Sequence, residues 1–245
     1  MRRDNEANVV RLSTVCGSLA LRRFPDVMDP SPFSMLLAEN IGYRGERSGI
    51  DIGSGSGLQA VVMARCGIVD VAAVDADPRA VLATEFNALL NGVSEWVTGD
   101  GPAVRAYVGD LFDPVQGQRF DLIVSNPPTF PPNVNSPGYT KAGENGRRVL
   151  DSLIKQSREH LNIGGTLKFV QSSLFDMKQT SALLAEHRYT WEVSAERLVA
   201  FRPFYYDNLW YFRDQAAAGH AEYVTIENGE CIETLYVISA KPLAD

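Results

Sequence analysis

Apolar residues in this chain come in short runs whose spacing alternates between two periods. The stretches 49–53, 71–77, 105–110, 120–126, 166–172, 191–201 and 233–241 are short and apolar, which predicts strands. Between them, 58–67, 78–92, 144–165 and 180–189 repeat apolar residues every three or four positions, which predicts helices. The helix at 78–92 opens on Pro78 and closes at Asn91-Gly92. That at 144–165 turns Val149, Leu150, Leu153, Ile154 and Leu161 inward. Upstream, Ser31 as N-cap and Pro32 at the first helical position predict a helix ending at Gly42, with Phe33, Leu36, Leu37 and Ile41 buried. Residues 1–24, where Val9, Val10, Leu12, Leu19 and Leu21 are loosely periodic, read as a helical lead-in.

Strands that alternate with helices of this length call for a mainly parallel sheet covered on both faces, the α/β class. Crossovers should be right-handed, and ligands should bind beyond the carboxyl ends of the strands where the strand order reverses. The expected division is an N-terminal helical lead-in and lid over 1–47 and a ligand-binding domain over 48–245, with an aromatic insertion at about 201–231.

Three loops after strands carry unusual residues. "DIGSGSG" (51–57) opens with Asp51 and spaces Gly53, Gly55 and Gly57 around Ser54, one residue short of the dinucleotide fingerprint. Its glycines allow a tight strand-to-helix turn and let a ligand approach bare backbone. Asp75 follows 18 residues after Gly57 and precedes Ala76. An acidic residue at the end of the next strand can accept both hydroxyls of a ribose, whereas Asp77 is better placed to cap the helix at Pro78. In "VGDLFD" (108–113), Asp110 would accept from an exocyclic adenine amine while Gly109 and Leu111 flank the ring. No P-loop lysine and no arginine directly after Asp75 provides for phosphates. A nucleoside site without phosphate contacts points to S-adenosylmethionine (SAM) rather than to NAD.

The fourth loop, "SNPPTFPP" (125–132), leaves its strand with Asn126 and then removes two backbone donors at Pro127 and Pro128. With these four elements in order, residues 25–175 resemble the class I SAM-dependent methyltransferases of the Asn-Pro-Pro subgroup. That subgroup includes release-factor and ribosomal-protein glutamine N-methyltransferases and several adenine and guanine N-methyltransferases. The resemblance implies a Rossmann-like fold: a mostly parallel seven-stranded sheet with an antiparallel last strand. It also implies that the Asn126 side-chain oxygen and the Pro127 carbonyl accept both N–H groups of a planar nitrogen and aim it at the sulfonium methyl. The motif usually continues with an aromatic residue. Here Thr129 stands in that place and Phe130 comes one later, which leaves room for a smaller or non-planar amine.

The acceptor is therefore expected to be a small metabolite or a protein side chain, met by Pro128, Thr129, Phe130 and Tyr139. Tyr205 and Tyr206 of the aromatic stretch "FRPFYYDNLWYF" (201–212) are further candidates, with core packing as the alternative use of that stretch. Lys141, Arg147 and Arg148 read as a solvated helix start rather than an anion site. Two other outcomes stay open: attack at another SAM carbon, releasing methylthioadenosine, and methylation of a nucleic-acid base.

Composition narrows these choices. The net charge of −7 over 245 residues disfavours general polyanion binding, although the first 24 residues hold five arginines against Asp4 and Glu6. Cys16, Cys66 and Cys231 form no local pair, so neither a zinc site nor a disulfide frame is expected, and no histidine has a metal-ligand pattern. No apolar run approaches the length of a membrane span. A cytoplasmic enzyme with no membrane partner, for which a nucleic-acid partner is unlikely, is the resulting expectation.

Overall fold

The computed structural model describes residues 8–244, and a twisted sheet runs through its middle. In chain order the described elements begin with β1 (Val9–Thr14), β2 (Gly17–Arg22), α1 (Pro32–Glu39), β3 (Ser48–Ile52), α2 (Leu58–Arg65) and β4 (Asp70–Asp75). They continue with α3 (Pro78–Leu90), α4 (Glu95–Thr98), β5 (Ala103–Val108), β6 (Phe120–Ser125), α5 (Arg148–Ser157) and β7 (Leu161–Ser172). The last are α6 (Met177–Glu186), β8 (Tyr189–Ala200), α7 (Pro203–Tyr206), α8 (Leu209–Ala217), β9 (Val224–Thr225) and β10 (Cys231–Pro242).

The large sheet runs β5-β4-β3-β6-β7-β10-β8, with the two-residue β9 beside β10. β5 through β7 are parallel to one another, and β10 inserts antiparallel between β7 and β8. Strand order reverses between β3 and β6, which puts the ligand crevice beyond the ends of β3, β4, β5 and β6. One face packs on α5 and α6 through Leu150, Leu153, Ile154 and Leu184; the other packs on α2 and α3. α1 starts at Ser31, whose side chain accepts from the Ser34 N–H in a capping box, and buries Phe33, Leu36 and Leu37.

Two expected helices are corrected. The lead-in over residues 9–22 is a hairpin, paired Val9 to Arg22 and Thr14 to Gly17; residues 1–7 lie outside the described part. Leu19 and Leu21 are two apart, a strand period, and both are buried against the α2–α3 layer. The free edge of β2 is satisfied by α3: the Ala20 N–H donates to Asn91 Oδ1 at 3.0 Å and the Arg22 N–H to Asn87 Oδ1 at 2.8 Å. The second correction is the C-terminal part of 144–165. α5 stops at Ser157, and Leu161 already belongs to β7. Gly164-Gly165 is no helix cap; it sits beside a register shift at Phe120–Leu122, where a Cβ on Gly165 would lie 3.0 Å from the Phe120 carbonyl oxygen.

The stretch 201–223 builds a satellite core of its own. Phe201, Tyr205, Tyr211 and Phe212 pack with Phe130, Val134, Leu174 and Phe175. Cys16, at the hairpin turn, and Cys66, at the end of α2, are joined in a disulfide with 5.3 Å between their Cα atoms. The pairing corrects the expectation of unpaired thiols. It closes a separation of 50 residues, so no local spacing announces it. Cys231 is free and buried.

Candidate active site

β3 ends at Ile52, and the N–H groups of Gly53 and Ser54 still donate to the Val74 carbonyl at 2.8 and 3.1 Å, so the glycine loop leaves in contact with β4. Gly57 caps α2 at φ +79°, and a Cβ there would lie 2.9 Å from the Cα of Thr84. Glycine is required at this point because α2 and α3 approach so closely. A Cβ on Gly53 or Gly55 would meet nothing within 4 Å: that side of the loop is open.

Asp75 ends β4 and faces the same space. Its Oδ2 accepts from the Gly55 N–H and its Oδ1 from the Asp77 N–H, both at 2.9 Å. Burial raises its pKa above the ordinary carboxylate value, against the pull of those N–H groups. Asp77 caps α3 by accepting from the Arg79 N–H, and the Arg79 guanidinium is held by Asp77 and Asp26. On the next strand end, Gly109 donates to the Asp75 carbonyl, and Asp110 meets the Arg148 guanidinium at 3.0 Å, with about half of each side chain exposed.

β6 is fastened to β3 by the Ser125 hydroxyl, which donates to the Ile52 carbonyl at 2.7 Å. Asn126 follows at the cleft wall, and among the described residues no group hydrogen-bonds its side-chain amide. The loop beyond it is fixed from behind. The N–H groups of Thr129 and Phe130 both donate to the Thr140 carbonyl, and Ala142 donates to the Phe130 carbonyl. The Lys141 ammonium caps the carbonyls of Pro131, Pro132 and Val134. A Cβ on Gly146 would overlap the Thr129 carbonyl oxygen. Together these strand ends enclose a cleft of about 880 Å³.

Residues 28–197 match the family model of the methyltransferase small domain. The chain belongs to this family. An archaeal relative from Methanocaldococcus jannaschii, provisionally named a protein N5-glutamine methyltransferase, is 31% identical over 78% of this chain and 95% of its own length. The release factor glutamine methyltransferase of Aquifex aeolicus is 31% identical over 57% of this chain. The tRNA1(Val) (adenine(37)-N6)-methyltransferase of Edwardsiella ictaluri is 36% identical over 49%. The chain spans about half the length of these last two, 52% and 46%. In fold, a Thermus thermophilus 16S rRNA N2 G1207 methyltransferase, solved with AdoMet and guanosine, superposes with a TM-score of 0.59 at 17% identity. It covers 96% of this chain and 50% of that one.

The protein is thus a SAM-dependent methyltransferase. A carboxylate offers about four lone-pair sites; Asp75 accepts the Gly55 and Asp77 N–H groups and still faces the cleft with acceptor capacity to spare. The open face of Gly53 and Gly55 admits a ligand against backbone. The volume lies within the range of small-molecule sites.

The methyltransferase cleft brings together Gly53, Gly55, Asp75, Ala76, Gly109, Asp110, Leu111, Asn126, Pro127, Pro128, Thr129, Phe130 and Tyr139. Five expected site residues lie elsewhere. Asp51 is buried under the loop, its Oδ2 accepting from the Ala60 N–H at 3.3 Å; loss of solvation pushes its carboxyl to about 8. Ser54 accepts from the Thr84 hydroxyl, and Gly57 is the packing point described above. Tyr205 is fully buried in the aromatic core, where burial raises its pKa. Tyr206 stays outside the cleft, its hydroxyl accepting from the Cys231 N–H.

Phe130 lines the cleft but is only 1% exposed, held edge-on by Phe175, Phe204, Tyr205 and Phe212. It is an anchor rather than a free stacking platform. The solvated helix start is corrected at Arg147, which is buried and donates to Phe175, Asp176, Asp151 and Thr180. Cleft residues that pattern reading did not assign to the site are Asp26, Val27, Met28, Phe33, Arg79 and Arg202, while Arg148, read as part of a solvated helix start, also lines it. Of these only Arg202 carried a signal, directly after a predicted strand.

Proposed function

We propose that this methyltransferase modifies a planar amide nitrogen, that of a glutamine side chain in a protein or peptide. The observation that carries this reading is the unpartnered amide of Asn126, set in the same cleft as Asp75. The relatives named for glutamine substrates support it, and one of them is matched over nearly its whole length. Bound SAM supplies an activated methyl on a sulfonium.

The chain's own task is to aim the nucleophile. An amide nitrogen is weak because its lone pair is delocalised. Asn126 Oδ1 and the Pro127 carbonyl would accept its two N–H groups and stabilise the positive charge that develops on nitrogen. Pro127 and Pro128 offer no competing donor. The tied loop from Thr129 to Ala142 keeps both acceptors in place before the substrate arrives, so little reorganisation is needed.

A second reading, a purine amine in RNA, is supported by the tRNA-named relatives. The expectation that nucleic acid is unlikely therefore does not carry over from the sequence. The test is incubation with methyl-labelled SAM and either glutamine peptides or transfer RNA, with hydrolysis and mass analysis. Label in N5-methylglutamine supports the proposal; label only in methyladenine or methylguanine selects the second reading.

A further inference from the structure

Arg202 ends the link between β8 and α7 and lines the cleft. Its guanidinium carbon lies 4.9 Å from the ring centre of Phe33, 5.2 Å from that of Phe204 and 5.1 Å from that of Tyr205. Nη2 donates to the Tyr205 hydroxyl at 2.9 Å, and Nε is buried without a partner. Among the described residues Nη1 makes no hydrogen bond and no carboxylate forms an ion pair with the group. The nearest acidic influence is Glu233, itself buried, whose Oε2 is taken by the Ser172 hydroxyl.

A guanidinium stays charged at all ordinary pH; Arg202 as a residue is only part-buried, and it is the buried, unpartnered Nε that carries a desolvation cost. Aromatic faces return part of that cost through cation–π attraction but accept no strong hydrogen bond. Arg202 is also at the acceptor end of the cleft. Phe204 and Tyr205, which pack on its guanidinium, pack equally on Phe130, four residues beyond Asn126.

We propose that Arg202 binds the acceptor, Nη1 donating to a second oxygen of the amide-bearing substrate, either the main-chain carbonyl of a glutamine residue or its α-carboxylate. The proposal rests on the amide reading above. It names a specificity element beyond the Asn-Pro-Pro loop: acceptors that present an oxygen beside the side-chain amide bind, and bare amides do not. Tyr205 acts as a positioning residue, since its hydroxyl fixes the other arm of the fork.

The test is calorimetric binding of two probes to protein loaded with S-adenosylhomocysteine: N-acetylglutamine and N-acetylglutamine N-methylamide. Arg202→Gln should weaken the bound probe by at least about tenfold, the scale of one lost hydrogen bond to a charged group. Affinity for S-adenosylhomocysteine and the melting temperature should hold. A larger loss for the free acid assigns the carboxylate; an equal loss assigns the carbonyl. Tyr205→Phe, which keeps the ring, should weaken both probes in the same direction if Arg202→Gln does not fold. Unchanged affinity in both variants overturns the proposal, as does failure of both probes to bind the loaded wild type. Turnover of these probes is scored separately with Asn126→Ala: Arg202-dependent binding without methylation removes the amide reading and leaves the binding site standing.

Discussion

The Asp75 carboxylate accepts the Gly55 N–H at 2.9 Å, so the end of one strand fixes the loop that leaves its neighbour. This single bond links two residues that both line the cleft. Asp75→Ala should therefore weaken SAM binding by at least about tenfold, by loss of both the ribose acceptor and the loop restraint. Isothermal titration measures it, and wild-type affinity in the variant would remove the assignment.

Two glycines of the same loop should differ in what their substitution does to binding. Gly57→Ala places a Cβ 2.9 Å from Thr84 Cα at φ +79° and should destabilise the fold by about 1–3 kcal/mol. Gly55→Val has open space around it but sits at φ +53°, so it should cost a similar amount of stability and, unlike Gly57→Ala, should also lower SAM affinity. Thermal melts with and without SAM check both, and loss of SAM affinity in Gly57→Ala but not in Gly55→Val would contradict the geometry.

The disulfide from Cys16 to Cys66 ties the hairpin to the end of α2. Closing a loop of this size should stabilise the oxidised protein by about 2–4 kcal/mol. Alkylation and mass analysis before and after reduction should find one bond, with Cys231 the remaining thiol. Two extra alkylated thiols without reductant would rule the bond out.

Stability should fall as pH rises through the neutral range. Asp51 is neutral-favouring in the fold, raised from 3.8 to about 8 by burial, and Glu233 is raised from 4.5 to about 7 for the same reason. The folded protein thus holds more protons than the unfolded chain between these limits, and stability present at about pH 4 is lost toward pH 8. Asp51→Asn keeps an acceptor for the Ala60 N–H and should flatten this slope in melting experiments. Identical slopes in wild type and variant would count against a buried, neutral Asp51.

The loops that line the cleft were legible as strand-end loops because each lies directly after a strand with a strong apolar signature. Asp75 and Asn126 could be placed from that alone. The hairpin was not legible: Val9, Val10 and Leu12 fit a helix period as well as a strand period, and only packing of Leu19 and Leu21 on α2 and α3 decides between them. For Tyr205 and Tyr206 the sequence left pocket wall and core packing open; Tyr205 is buried in the aromatic core and Tyr206 is exposed outside the cleft, which Phe33, Phe130, Tyr139 and Arg202 line instead. Cys16 with Cys66, and Arg147 with the carbonyls of Phe175 and Asp176, are long-range pairings that no local spacing encodes.

The central claim is that Asn126 aims an acceptor nitrogen in a cleft that binds SAM independently of it. The most direct measurement is the rate of S-adenosylhomocysteine formation on a glutamine peptide by wild type and Asn126→Ala, alongside SAM affinity for each. The expected result is a rate lower by about 10²–10³ in the variant with SAM affinity nearly unchanged, the cost of removing one preorganised polar contact. Equal rates would mean that the Asn-Pro-Pro loop is only a turn, and the account would fail.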